Sequence, residues 1–119
     1  MRNLMFERTI DQIVQKGLIP EDKGGLLKEI FEGFPFSADL EMKQEFLNTL
    51  SQNSVSLEEL NREIEEERKK KIKRDKEKTG KSDSDFLVQS VLFEFKSREL
   101  PREQQIIFKK IYLHFVKNI

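Results

Sequence analysis

The sequence predicts an all-α protein of three short helices, one long charged helix and a C-terminal apolar helical hairpin. Apolar residues recur at helical rather than strand spacing through most of the chain. Glycine, proline and serine interrupt that pattern at intervals typical of helix ends. We interpret the 119 residues as one domain, with an N-terminal helical unit at 1–55, the charged helix at 56–80 and the hairpin at 81–119.

The N-terminal unit begins with a helix predicted at 3–16. One face of this segment carries apolar residues at helical spacing, namely Phe6, Ile10, Ile13 and Val14. Gly17 follows, and glycine suits the left-handed position that ends many helices. A second helix could begin at Pro20, because proline is favoured in a first turn. An interior glycine costs about 1 kcal/mol relative to alanine, so the adjacent Gly24 and Gly25 also allow a start near Gly25.

The second helix is predicted to end at Gly33 and Pro35. Ser37 can then cap a third helix at 38–51. The inward face of that helix is expected to carry Leu40, Phe46, Leu47 and Leu50. Three short amphipathic helices with tight connections would form a compact helical unit.

The long charged helix is predicted from the signals at its two ends. Ser56 and Glu59 have the spacing of a capping box, in which the two residues satisfy backbone N–H groups of the first turn. Gly80 is a suitable stop. One apolar stripe is formed by Leu57, Leu60 and Ile64. Polar residues occupy the positions where this stripe would continue, so we expect only the first two turns to join the core. The basic end of a helix about 34 Å long would then project.

The second property of this helix is the order of its acidic and basic residues along the chain. Residues 58–67 contain one basic and six acidic residues (net −5), whereas 68–81 contain nine basic and two acidic residues (net +7). Glutamate four positions before lysine stabilises a helix by about 0.2–0.5 kcal/mol per pair. The expected pairs are Glu65–Lys69, Glu66–Lys70 and Glu67–Lys71. An antiparallel pair of such helices would bring opposite charges together.

The hairpin begins after a linker-like segment. Apolar residues recur there at helical spacing, namely Leu87, Val88, Val91, Leu92 and Phe95. A buried strand at 86–95 is the alternative, given the valine and phenylalanine content. Pro101 is expected to open a last helix that ends near Lys117. This helix is apolar on more than one face, so it is either central to the core or part of an interface.

A partner-binding surface is predicted on the hairpin. We expect one set of residues to face the core, namely Leu87, Val91, Phe95, Ile107, Ile111 and Phe115. Four residues are then hard to bury and suit a homodimer or a partner helix, namely Phe93, Phe108, Tyr112 and Leu113. Ordinary burial under the N-terminal unit is the alternative interpretation.

A polyanion-binding surface is the second candidate, and it lies on the basic end of the long helix. Its residues are Arg68, Lys69, Lys70, Lys71, Lys73, Arg74, Lys76 and Lys78. No aromatic residue lies between Phe46 and Phe86, so bases could not stack there and any binding would be sequence-independent and sensitive to salt. A solvated helix that pairs with its own acidic block is the simpler interpretation.

The residues argue against an enzyme. No cysteine is present, which excludes disulfides, thiolate catalysis and cysteine-bound zinc. The one histidine, His114, lies among apolar residues, where a half-buried packing role is expected. Asp83 and Asp85 suit helix capping better than metal binding. We therefore predict no catalytic residues, no metal or other cofactor, and no small-molecule substrate.

The function predicted from these observations is that of a non-enzymatic helical adaptor or assembly protein. It would act through helix–helix contacts with a protein partner or with itself as a homodimer. The alternative is an accessory protein that binds nucleic acid independently of sequence. Charged residues interrupt the first apolar segment and no run approaches the ~20 residues of a membrane span. We therefore expect a cytoplasmic protein without a membrane partner.

Overall fold

The computed structural model describes residues 4–32, 49–50, 55–81 and 84–117 of the chain. Those ranges contain five α-helices and no strand: α1 (Leu4–Gln15), α2 (Glu21–Glu32), α3 (Leu57–Thr79), α4 (Ser84–Ser97) and α5 (Arg102–Lys117). The all-α prediction is confirmed. The third short helix predicted at 38–51 lies outside the described residues, apart from positions 49 and 50.

One apolar core draws side chains from all five helices. Helix α3 lies along α5, α1 packs against α2, and α2 also reaches α4. The buried apolar residues are Ile10, Ile13, Ile19, Leu27, Leu50, Leu60, Ile64, Phe86, Phe93, Leu100, Phe108, Ile111, Tyr112, Leu113 and Val116. Five of these belong to α5, which is therefore the central helix, as expected for a segment that is apolar on several sides.

Helix ends follow the local signals in the sequence. The Ser56 hydroxyl accepts a hydrogen bond from the Glu59 N–H at 3.2 Å, as a capping residue does. Gly80 follows α3 with φ of 76°, and its N–H donates to the Lys76 carbonyl oxygen at 2.9 Å. Gly17 follows α1 with the same φ. These three terminus predictions are confirmed, because each depends on atoms only a few residues apart.

Helix α2 begins at Glu21 and continues through both glycines, so the later start near Gly25 is not seen. The reason is a close approach between helices. A Cβ atom added at Gly24 would lie 2.8 Å from the Val14 Cγ2 atom, whereas one added at Gly25 would meet nothing within 4 Å. Gly24 therefore permits α1 and α2 to pack together, and the cost of placing glycine within a helix is offset by that contact.

Alanine at the two glycines should have opposite effects on the free energy of unfolding. Gly25→Ala should raise it by about 0.4–1 kcal/mol, because the unfolded chain loses conformational freedom. Gly24→Ala has the same benefit but forces the stiff Val14 side chain to move, and overpacking costs about 1–3 kcal/mol. Urea unfolding of both variants measures the difference. Equal changes of the same sign would contradict the close approach.

Helix α3 joins the core further along its length than the sequence predicts. Lys71 is only 7 % exposed, and its Nζ lies 5.4 Å from the centre of the Phe86 ring and 2.9 Å from the Asp75 Oδ1. The prediction that only the first two turns join the core is therefore wrong. Long basic side chains can bury their aliphatic stems while their charged ends reach a partner, so Arg68 and Lys71 continue the stripe of Leu60 and Ile64.

Candidate functional site

Helix α4 exposes the face that the sequence assigns to the core. Its buried residues are Phe86, Ser90, Phe93 and Ser97, at spacings of four, three and four. Segment 86–95 is thus helical, and the strand alternative is wrong. The expectation that Leu87, Val91 and Phe95 face the core is also wrong. Compared with that expectation, α4 is rotated about its axis by roughly 130°, at 100° per residue.

The predicted partner-binding residues are buried within the chain itself. Phe93, Phe108 and Tyr112 are 0 % exposed and Leu113 is 7 % exposed. None of them can present a surface to another protein in this structure, so that part of the prediction is corrected. Of the other residues expected in the core, Ile111 is fully buried and Ile107 is partly buried.

Tyr112 explains the rotation of α4. Its ring stacks on Phe93, with centroids 4.3 Å apart and planes 13° apart. Its hydroxyl lies 2.6 Å from the Ser90 Oγ and accepts a hydrogen bond from the Arg68 Nε at 2.8 Å. A buried tyrosine hydroxyl needs such partners. The serine positions, which also let helices approach closely, are the sequence signal that could have indicated this orientation.

Glu94 connects three helices beneath the exposed face of α4. Its carboxylate accepts hydrogen bonds from the Arg68 Nη2 at 3.0 Å and from the Lys109 Nζ at 3.4 Å. Lys109 is only 4 % exposed and also donates to the Asn61 Oδ1. Sequence reasoning did not find this network, because its members are separated by 15 to 48 positions.

The electrostatics of the network follow from its burial and from its internal contacts. Burial alone would lower the pKa of Arg68, but the contacts with Tyr112 and Glu94 raise it overall. Burial raises the pKa of Tyr112 above its ordinary value. Arg68 therefore stays charged and Tyr112 stays neutral near pH 7. Tyr112 is fully buried and the Arg68 side chain is 18 % exposed, so the pair lies mostly inside the protein and orients α4.

The exposed large apolar residues of α4 form one continuous stripe, which we call the α4 outer face. Its members and exposed fractions are Leu87 (37 %), Val88 (56 %), Val91 (69 %), Leu92 (41 %) and Phe95 (66 %). They are the large apolar side chains that are exposed in the described part of the chain. Single exposed apolar residues are ordinary, but a contiguous stripe of five is typical of a binding surface.

A groove of about 470 Å³ lies between the α4 outer face and α3. Leu87, Val91 and Phe95 form its apolar wall, and the charged residues Glu65 and Arg98 lie at its margins. Ser90, Arg68 and Glu94 complete the lining. The site therefore combines an apolar strip with a charged margin, as the centre and rim of protein interfaces do.

The basic end of α3 is only partly available for a polyanion. Arg68 and Lys71 are turned toward the protein by the contacts described above, which corrects their assignment to that surface, and Arg74 is half-buried. The five exposed members are Lys69, Lys70, Lys73, Lys76 and Lys78. Arg68 and Lys70 pair with glutamates three positions earlier, at 3.8 and 3.4 Å, whereas the sequence predicted spacings of four.

Other chemistry-bearing groups form no assembled site in the part of the chain that the structure describes. His114 is half-buried, and burial together with Lys117 lowers its pKa, so its imidazole is neutral near pH 7. No group of three or more potential metal ligands occurs among the described residues. Likewise, no described helix has the length and apolar content needed to cross a membrane.

Comparisons with protein-family models, with curated proteins and with solved structures found no match.

Proposed function

We propose that this chain is a non-enzymatic helical adaptor or assembly protein that binds a partner helix through the α4 outer face. The observation that carries the proposal is the concentration of exposed large apolar residues on this one face. Covering apolar surface is favourable by roughly 25 cal/mol per Å². A partner helix that covers this stripe would therefore gain a substantial part of its binding free energy from Val91 and Phe95.

The shape of the surface supports a helical partner. The groove beside α4 runs between two helices and has an apolar wall with charged margins at Glu65 and Arg98. An amphipathic helix can place its apolar side chains in a groove of this kind and its polar side chains at the margin. The charged margin would set the direction of the partner helix, because opposite charges steer and align association.

The support beneath α4 is the second argument for a binding function. Phe93 is stacked on Tyr112, and Glu94 is held by Arg68 and Lys109. These contacts fix the rotation of α4 and keep its apolar stripe outward before any partner arrives. A surface that is already ordered loses less entropy on binding than one that must fold.

Photo-crosslinking in cells that make the protein tests the proposal. A photo-crosslinking residue in place of Val91 should be covered by a protein partner and should give a discrete polypeptide adduct. Position 78 is the matched control, because Lys78 is also exposed but lies on α3 beyond the groove. The Phe95→Asp substitution should abolish the adduct at Val91. Absence of any polypeptide adduct at Val91 would overturn the proposal.

A second candidate function is supported by the exposed lysines of α3. Lys69, Lys73 and Lys76 lie on one side of the helix with Ile72, so three charges can track one polyanion backbone. Such binding would be sequence-independent and would weaken steeply with salt. The same experiment separates the two functions: a photo-crosslinking residue at Lys73 would give nucleic-acid adducts only if this second function operates.

A further inference from the structure

We propose that the α4 outer face binds the same face of a second copy of this chain, with the two α4 helices antiparallel and a twofold axis at Val91. This inference rests on the proposed function and names the partner. It follows from three properties of the face: the position of its centre, the distribution of charge at its two ends, and the presence of both a groove and a projecting aromatic residue.

The centre of the face determines the register. The five apolar residues run from Leu87 to Phe95, and Val91 lies at the middle of that range and is the most exposed of them at 69 %. In an antiparallel pair centred there, Leu87 of one copy lies opposite Phe95 of the other. Val91 meets itself on the axis, where the two helices come closest and a small side chain is favoured.

Charge at the ends of α4 favours the antiparallel direction. Asp85 is exposed in the first turn, and Arg98 is exposed immediately after the last residue of the helix. The register at Val91 places position 85 opposite position 97, so the helix end that carries Asp85 adjoins the end of the second copy that carries Arg98, at both ends of the interface. A parallel pair would instead bring like charges together, which is unfavourable.

The groove makes the face complementary to itself. Phe95 projects from α4 with 66 % of its surface exposed, and together with Leu87 and Val91 it lines the groove of about 470 Å³. In the proposed register, Phe95 of one copy lies against Leu87 of the other, within reach of that groove. An isologous interface requires this property, because each contact must occur twice.

Disulfide trapping tests the register. The chain has no cysteine, so Val91→Cys introduces a single thiol that would face its own copy across the axis. Val88→Cys is the matched control, because Val88 is exposed on the same face. Its two copies would be about 9 Å apart along the helices, beyond the ~7 Å Cα separation that a disulfide spans. We expect V91C to form disulfide dimers at least tenfold faster than V88C. Equal rates would overturn the register.

Charge exchange tests the direction and identifies the second copy. Asp85→Lys and Arg98→Asp each create repulsion at both ends, so either variant alone should dimerise at least fivefold more weakly than the wild type in analytical ultracentrifugation. Mixed in equal amounts, they restore opposite charges at both ends and should form a heterodimer with wild-type affinity. Both positions are exposed, and circular dichroism checks that each variant folds. A mixture as weak as the single variants would overturn the antiparallel pairing.

The outcomes separate this inference from the proposed function. A wild-type chain that stays monomeric at micromolar concentration, while the photo-crosslinker at Val91 captures a different protein, would overturn the homodimer and retain the adaptor. A monomeric chain with no polypeptide adduct at Val91 would overturn both. A V91C dimer with an adduct of the same chain at Val91 supports both.

Discussion

Replacing Phe93 with alanine is expected to lower the free energy of unfolding by about 3–5 kcal/mol, the usual cost of truncating a fully buried phenylalanine. Phe93 is 0 % exposed and stacks on Tyr112. The matched variant is Phe95→Ala, two residues along the same helix, where the side chain is 66 % exposed. Its truncation should change the free energy of unfolding by less than about 0.5 kcal/mol.

Urea unfolding of the two variants measures this difference, and their effects on association should be reversed. Phe95→Ala should weaken binding through the α4 outer face while the fold is retained. The orientation of α4 would be contradicted if Phe95→Ala were the more destabilising of the two. That result would restore the core assignment of Leu87, Val91 and Phe95 that the sequence alone favoured.

Glu94→Gln is expected to lower the free energy of unfolding by about 3 kcal/mol. The substitution keeps the shape of the side chain but removes the negative charge that faces Arg68 and Lys109. Both cations are largely buried, with side-chain exposures of 18 % and 5 %. Removing one partner of a buried ion pair leaves uncompensated charge in a poorly solvated position and typically costs about 3–5 kcal/mol.

Glu99→Gln is the control, because Glu99 is an exposed glutamate just beyond the end of α4 and its loss should change stability by less than about 0.5 kcal/mol. The combined variant Glu94→Leu, Arg68→Met and Lys109→Met should recover most of the loss, since apolar residues of similar volume often replace buried ion networks without penalty. If Glu94→Gln and Glu99→Gln had equal effects in urea unfolding, the network would not stabilise the fold.

The sequence predicts the apolar stripe of α4 but assigns its members to the core, and it places the partner surface on residues that are buried. The apolar stripe from Leu87 to Phe95 was recognised as one helical face, and the structure leaves that stripe intact on α4. It faces solvent instead of the core because Phe93 and Ser90 pack against Tyr112. Hydrophobic periodicity measures how apolar each face is. It does not measure whether a face fits its neighbour, and the less apolar face of α4 is the one that fits.

For the basic end of α3, too, the sequence does not show which side chains are buried. Arg68 and Lys71 share a residue type with Lys69 and Lys73, so composition assigned all of them to one solvated surface. Arg68 instead contacts Tyr112 and Glu94, and Lys71 lies over Phe86. These partners come from α4 and α5, and no local pattern in α3 indicates them.

The sequence by itself determined the helical class and three of the helix termini. Ser56, Gly17 and Gly80 act through backbone atoms within a few residues, so their effects can be predicted without knowledge of the fold. Tertiary structure alone decided the close approach at Gly24, the burial of Lys71 and the rotation of α4. Each depends on an atom from a distant segment, such as the Val14 methyl group or the Tyr112 hydroxyl. Packing and hydrogen bonding to Tyr112 determine which side of α4 is buried. The opposite side of α4 is therefore the one that remains available to a partner.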